Sequence, residues 1–297
     1  MLEIVLGDMS YWPAVQVFLP LAADEDDYVK DLWPEWIAHP EKGMTLVALW
    51  EHQPVGTTYI AFTDAHTCWL QGIRIDPRFQ GKGIGQALSK ESVCLAKKMG
   101  FKLARCGIDG DNHISQHVTA KAGFEMTSHY RAYLKQQFSP LAKETLGQWL
   151  PAEVSDLEGF IELQKKSSLT QDNGGFLFAF NFFAPQVTTG LQEEAVPWDE
   201  PHFMKYVIDE KTLAYADVFF GDEEELHGKG YLVQGVIVSD NVSTDQVWDD
   251  LEVYLRKQEH QGILVWAHEK DAIVPCLLKK GFELLEGKGF QIWEQKL

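Results

Sequence analysis

The stretch from Ile73 to Leu88, IRIDPRFQGKGIGQAL, constrains this chain more than any other. A β-rich run over 67–75 leads into it, and a segment of helical periodicity leads out. Between them stand Gly81, Gly83 and Gly85, three glycines within five residues. Glycine lets a backbone turn sharply and brings successive N–H groups close to a ligand. Such groups form an anion cradle, and the partial positive charge of a helix N-terminus adds to it. Lys82 contributes a point charge, with Arg74 and Arg78 nearby, so a pyrophosphate is the natural guest. Two other glycine loops are excluded. A P-loop needs Gly-Lys-Ser/Thr, and none follows Gly81 or Gly83. A dinucleotide fingerprint needs a third glycine where Gln86 or Leu88 stands, and it belongs to an early strand-to-helix turn.

The surroundings read as mixed α/β. Runs 45–50, 56–62 and 67–75 form an expected meander, with its first turn at His52-Gln53-Pro54. Ala87, Leu88, Val93, Leu95 and Ala96 suit a helix over 85–99, which Gly100 ends. A strand over 102–108, a helix over about 114–121 closed by Gly123 and a strand over 124–134 complete a mixed sheet with one crossover. The second half repeats this plan loosely. Val154-Ser155-Asp156 opens a helical segment as Leu6-Gly7-Asp8 does, and 229–240 resembles the third strand. An amphipathic helix over 245–258 and a strand over 262–267 follow, and Gly281-Phe282 lies 158 residues after Gly123-Phe124. We read a duplicated fold whose second copy has diverged. The expected domains are 1–138 and 151–297, joined by a linker over 139–150 that holds Ser139-Pro140 and Gly147.

Charge narrows the partners. The net charge is −18, with −3 in residues 1–148 and −15 in residues 149–297. A nucleic-acid binder needs a basic face, so that class is excluded. An anionic cofactor sits more easily in the first half. The acidic second half favours solubility or cationic partners. Cys68, Cys94, Cys106 and Cys276 are scattered without a CxxC pair, which argues against a disulfide framework and a cysteine metal site and fits a reducing cytoplasm. No apolar stretch approaches the ~18 residues of a membrane span. The N-terminus carries Glu3 and no basic segment, unlike a secretory signal.

Gln80-x-x-Gly83-x-Gly85 is similar to the cofactor loop of the GNAT superfamily of acetyl-coenzyme A dependent N-acetyltransferases, and the preceding strand and Asp76-Pro-Arg-Phe-Gln-Gly-Lys-Gly-Ile-Gly85 fit it closely. A second element, Asn112-x-x-Ser115-x-x-Val118-x-x-Lys121-x-Gly123-Phe124, follows in order after the intervening helix and strand. The resemblance is clear over about 1–135 and worn over 150–297. It implies a mixed central sheet flanked by helices, duplicated, with acetyl-CoA as cosubstrate. It also implies that the backbone at Ile73, Arg74 and Ile75 pairs with the pantetheine arm and helps orient the acetyl carbonyl. The turn Gly81, Lys82, Gly83, Ile84, Gly85 and Gln86, entered from Gln80, would hold the pyrophosphate through main-chain N–H groups. Asn112 would contact the cofactor arm, cap a helix, or do both. No glycine stands between Gly235 and Gly262, so one active site per chain, in the first domain, is expected.

Acetyl transfer needs a neutral amine, a proton acceptor and an oxyanion donor, which the backbone of strand 67–75 could supply. Many relatives carry a tyrosine seven residues after the asparagine; here that place holds Thr119, a poor acid. The strand glutamate of many relatives is also missing, with Trp69 and Gln71 as the candidates there. Gln71 and His117 are the remaining candidate catalytic residues. His113 and His117 have no apparent third ligand, so no metal is expected. The segment Asp24 to Trp36 carries acids with Tyr28, Trp33 and Trp36, which suits a cation by charge and by cation–π contact. Its pattern loosely resembles the histidine N-acetyltransferase-like branch and makes Asp27, Tyr28 and Trp36 candidate substrate-binding residues. An exposed acidic helix start with core tryptophans is the alternative. The aromatic run Phe176–Phe183 reads as core of the second domain or as a contact surface. The expected function is N-acetylation of a small amine or amino acid by a monomer or homodimer. A non-catalytic coenzyme A or acyl-CoA binding module and a protein or peptide N-acetyltransferase are the alternatives.

Overall fold

The computed structural model describes residues 1–22, 27–136, 145–166, 176–177, 186–187, 203–223, 228–256 and 262–297. They form two compact units, Met1–Thr127 with Gln291–Leu297, and Ser128–Phe290.

In the first unit β1 (Leu2–Leu6), β2 (Gly43–Trp50), β3 (Gln53–Phe62) and β4 (Thr67–Ile75) form an antiparallel meander, and β5 (Leu103–Asp109) joins β4 in parallel. Alternation along β2 sends successive side chains to opposite faces. Val47 and Leu49 pack with α1 (Trp12–Ala22) and α2 (Tyr28–Ala38) around Phe18, Trp33 and Trp36. Leu46 and Ala48 pack in a second cluster with Ile84, Leu88 and Ala96 of α3 (Ile84–Lys98), the crossover helix between β4 and β5. α4 (His113–Lys121) follows β5. The expected turn at His52-Gln53-Pro54 lies one residue earlier: Trp50 pairs with Gln53, and Glu51 and His52 take φ values of 50° and 68°. Pro54 belongs to β3, beside a register shift between Ala48 and Leu49, where a residue without an N–H costs the ladder least.

The second unit holds part of β6 (Glu125–Lys135), β7 (Gln148–Pro151), α5 (Leu157–Lys166), β10 (Phe203–Ile208), β11 (Lys211–Glu223), β12 (Gly228–Val238), α6 (Thr244–Leu255), β13 (Ile263–His268), α7 (Ile273–Lys279) and much of β14 (Glu283–Lys296). Short strands β8 (Phe176–Leu177) and β9 (Gln186–Val187) pair with each other. The duplication is visible at the level of register. Asp209-Glu210 turns β10 into β11 with φ of 48° and 62°, and a register shift falls between Tyr206 and Val207, 158 residues after its counterpart. β12 and β13 are parallel, as β4 and β5 are, with α6 between them in the chain.

The division falls at Thr127/Ser128 rather than at the expected 138, because Tyr130–Lys135 of β6 pair with β13. The chain's last residues return to the first unit: Leu297 donates its N–H to the Lys102 carbonyl at 2.9 Å, and Arg105 pairs with Glu294 at 2.6 Å. The expected linker over 139–150 ends in sheet, since Gln148–Leu150 belong to β7 and pair with β10. Asp24–Asp26 and the side chains of the run Phe176–Phe183 lie outside the described residues. No helix among the described residues is long and apolar enough to cross a membrane.

Candidate active site

The turn after β4 is built by local capping. Asp76, at 1% exposure, accepts the Arg78 N–H at 3.0 Å and the Arg78 guanidinium at 2.6 Å, which holds its carboxyl below the usual range. Arg78 is thereby neutralised. Gly81 and Gly83 then take φ of 76° and 77°, and Gly83 caps α3. A Cβ built on either glycine meets nothing within 4 Å. The Gln80 N–H bonds the Pro77 carbonyl and the Ala87 N–H bonds Gly83. Among the described residues, no protein acceptor takes the N–H groups of residues 81–86. These amides, at a helix start, are the electropositive feature of the turn. Ile84 is buried in the core, so it contributes only its backbone. A Cβ on Gly85 would lie 3.7–3.9 Å from Val118, Ile73 and Ile75, and the half-buried Gln86 follows it on α3. The Lys82 ammonium stands over Trp50 and Phe79, at 4.9 and 4.7 Å from their ring centres.

β4 itself is bent where the turn needs it. Gln71 pairs with Tyr59 and Arg74 with Thr57, so Gly72 and Ile73 together face Thr58. Gly72 has φ of 65°, the left-handed value of a bulge. Pairing between β4 and β5 is limited to Thr67–Leu103, Cys68–Ala104 and Trp69–Arg105. Beyond Trp69 the two strands are no longer paired, and Ile73, Arg74 and Ile75 lie on that stretch of β4.

The N-terminus of α2 closes over the bulge. Asp27 caps the helix through the Val29 N–H and takes a bidentate contact from Arg74 at 2.9 and 2.7 Å. Its charge is therefore spent on Arg74, and an acceptor ammonium would have to compete with that pair. The Tyr28 hydroxyl accepts the Gly72 N–H at 3.1 Å. Its ring lies 6.3 Å from Trp36, edge to face, and under the Arg74 guanidinium at 5.6 Å. Trp36 stacks on Tyr59 at 4.5 Å and covers Gly72, so it is a packed wall rather than an open cage. Trp33 is buried, stacked on Trp12 and bonded to Thr57. Asp27, Tyr28, Trp36 and Arg74 are thus brought together on β4, a grouping that separations of up to 47 residues hide in the sequence.

Asn112 caps α4, its side-chain oxygen accepting the Ser115 N–H at 3.0 Å. His117 is exposed on α4, without a hydrogen bond or ion pair among the described residues. Thr119 hydrogen-bonds the Cys106 thiol, which burial pushes up to about 12. Gly72 was missed as a site residue, although a glycine inside a strand run is the sequence mark of a bulge.

In the second unit, three of the corresponding amides, those of Asn241, Val242 and Gln246, are bonded within the protein. After β12 the Ser239 N–H bonds Leu213, Val242 bonds the Ser239 carbonyl, Asn241 bonds the Ser239 hydroxyl, and Gln246 and Val247 bond Ser243. Gly235 takes φ of 59°, and it sits at a register shift of β12 against β11 as Gly72 does at that of β4 against β3.

Comparison with known proteins agrees with this geometry. Residues 9–124 match the model of the acetyltransferase (GNAT) family. No curated protein sequence matches the chain. Among solved structures, a GCN5-related N-acetyltransferase from Anabaena variabilis is similar over 100% of this chain and 73% of its own, at 12% identity and a TM-score of 0.66. A tandem GNAT protein from the clavulanic acid biosynthesis pathway is similar over 100% of this chain and 98% of its own, at 14% identity and 0.59. A GCN5-related N-acetyltransferase from Sphaerobacter thermophilus is similar over 99% and 95%, at 9% identity and 0.61. At these identities the likeness is one of fold. Residues 9–124 are thus similar to an acetyltransferase domain of the GNAT family, and the whole chain is similar in fold to a tandem GNAT protein.

Proposed function

We propose that this chain transfers the acetyl group of acetyl-CoA to a primary amine of a small molecule or amino acid, at a single site in its first unit. GNAT acetyltransferases draw their acyl group from acetyl-CoA, whose thioester supplies an activated carbonyl carbon. The observation that carries the reading is the row of N–H groups from Gly81 to Gln86 without acceptors among the described residues, beneath open space at Gly81 and Gly83. Those groups would hold the pyrophosphate, entered from Gln80, with Lys82 beside them. The stretch of β4 at Ile73, Arg74 and Ile75, paired with β3 but no longer with β5, would align the pantetheine arm, and Asn112 would stand at its other side. Gln71 and His117 are then not needed as bases. The Arg74–Asp27 pair is neutral as a whole, which suits an acceptor that must react as a free amine.

Gly83→Glu tests the placement. It puts bulk and negative charge over the amides without a clash, at a backbone cost of about 1 kcal/mol. The variant should unfold near the wild-type urea midpoint, lose CoA binding by calorimetry, and release no thiol with a panel of primary amines that the wild type acetylates. Unchanged CoA affinity would place the cofactor elsewhere, and CoA binding without turnover of any amine would set aside the small-amine acceptor.

A further inference from the structure

We propose that the Arg74 guanidinium holds a carboxylate of the acceptor, so that the substrate is a small amino acid rather than a simple amine. This rests on the acetyl-CoA reading of the first unit and narrows it to one substrate class.

The guanidinium has N–H groups to spare. Of its five, Nε–H and one on Nη2 go to the two Asp27 oxygens at 2.9 and 2.7 Å, and one on Nη1 goes to the Ile73 carbonyl at 3.0 Å. One N–H therefore remains on each terminal nitrogen, without an acceptor among the described residues. Asp27 occupies the edge formed by Nε and Nη2. The edge formed by Nη1 and Nη2 faces no carboxylate among the described residues. Such an edge is a planar fork that matches the two oxygens of a carboxylate. The plane is already fixed. Asp27 is itself held by the Val29 N–H at the cap of α2, and the Tyr28 ring lies 5.6 Å from the guanidinium carbon. A ligand docking on the open edge does not have to order a mobile side chain. Arg78 pairs with Asp76 in a similar way, but its side chain is 60% exposed, so water meets its outer edge. The Arg74 side chain is 21% exposed, and partial desolvation strengthens an ionic hydrogen bond.

Arg74 is also placed to meet an acceptor. Ile73 and Ile75 pack against the cluster of Ile84 and Leu88, on the face of α3, the helix that begins at the open amides. Arg74 leaves β4 on the opposite face, with its pairing residue Thr57, which accepts the Trp33 indole N–H of α2. Along this stretch β4 has left β5. A cofactor held at the amides would reach the gap from the α3 face. An acceptor approaching from the α2 face would meet Arg74 beside the thioester. Charge then selects among carboxylates. Asp27 already balances Arg74, so a bare acid would leave one negative charge over, whereas an amino acid arrives as a zwitterion and brings its own balance. The same fork suits the free carboxylate of a dicarboxylic acyl group carried on coenzyme A, and the test separates the two sources.

The test uses the full chain and follows thiol release from acetyl-CoA. The probes are the common L-amino acids, each beside its carboxamide and the amine left when its carboxyl group is removed. The preferred amino acid should exceed both analogues in kcat/KM by about 10- to 100-fold. Arg74→Lys keeps a cation for Asp27 and loses the fork. It should bring the ratio of acid to amine close to one, whatever it does to the rate common to both; an unchanged ratio overturns the assignment. So does a wild type that binds CoA but acetylates no amino acid, or that uses acid, carboxamide and amine equally. A wild type that prefers succinyl-CoA to acetyl-CoA with an amine lacking a carboxylate assigns the fork to the acyl group and overturns the acceptor site. Failure of the wild type to bind CoA by calorimetry overturns the acetyl-CoA reading itself. Where Arg74→Lys is inactive or does not fold, the comparison of acid with carboxamide in the wild type decides alone.

Discussion

A Cβ on Gly72 would stand 2.6 Å from the Trp36 ring, and its φ of 65° is one that side chains seldom adopt. Both constraints meet at the residue that bends β4. Gly72→Ala should therefore cost roughly 2–4 kcal/mol, the sum of left-handed strain and displacement of a packed ring. Gly81→Ala carries the same backbone strain at φ 76° but faces open space, so about 1 kcal/mol is expected there. Urea unfolding of the two variants isolates the ring contact, and equal losses would show that Trp36 does not rest on the bulge. Displacing Trp36 should also move Tyr28, which packs on its edge. At this scale the sequence was half legible. The turn after β4 stood out because three glycines have a local meaning. The Asp27–Arg74 pair did not, because nothing local says which of several acids will meet which cation; an acid expected to face the acceptor faces Arg74 instead.

Elements were easier to read than contacts. The expected strand over 67–75 coincides with β4, and the expected helix over 85–99 differs from α3 by one residue at each end. Hydrophobic periodicity survives because it is averaged over many residues. The misplaced first turn shows the opposite case: Pro54 looked like punctuation, while the positive φ values fall on Glu51 and His52, residue types that do not advertise them. The splay of β4 from β5 was equally invisible, since pairing partners are set by tertiary packing. The duplicated plan yields an element-scale prediction. In both units the third residue past a parallel strand donates its N–H to that strand's last carbonyl and accepts, on its side-chain oxygen, an N–H from the first turn of the next helix. Asn112 does so after β5 and Asp271 after β13, with Asp271 accepting the Ile273 N–H. Burial pushes the Asp271 carboxyl up to about 6, despite the bond from Ile273. The folded state thus holds its proton more tightly than the unfolded chain, so stability falls as pH rises from about 4 to about 6 and stays reduced above. Asp271→Asn keeps an acceptor for the Ile273 N–H and removes the charge. It should leave stability unchanged below about pH 4 and raise it by about 1–3 kcal/mol at pH 7. Denaturant midpoints across that range check the sign, and an Asn variant less stable at pH 7 would mean that the carboxylate is stabilised by a group other than Ile273.

For the whole molecule, chain order and unit membership disagree. Residues 1–138 contain the glycine turn, yet the first unit is completed by Gln291–Leu297. Trp293 and Leu297 pack in the cluster that holds Ile84 and Leu88, the first turns of the helix that follows the cradle. Arg105 is 4% exposed and pairs with Glu294, so removing the last strand segment strips a buried guanidinium of its carboxylate. Losing one partner of a buried ion pair costs about 3–5 kcal/mol, a large share of a domain's stability. The sequence reading set the first domain at 1–138, followed by a linker over 139–150. The structure predicts instead that a 1–138 fragment, or the full chain ending at Phe290, loses cooperative unfolding and binds CoA at least tenfold more weakly than the intact protein. A synthetic peptide of residues 291–297 added in excess should restore part of that binding to the truncated chain, since it carries the missing carboxylate and both packed side chains. A 1–138 fragment with a sharp urea transition and wild-type CoA affinity would show that the first copy is self-sufficient and that the returning strand is not required for the site.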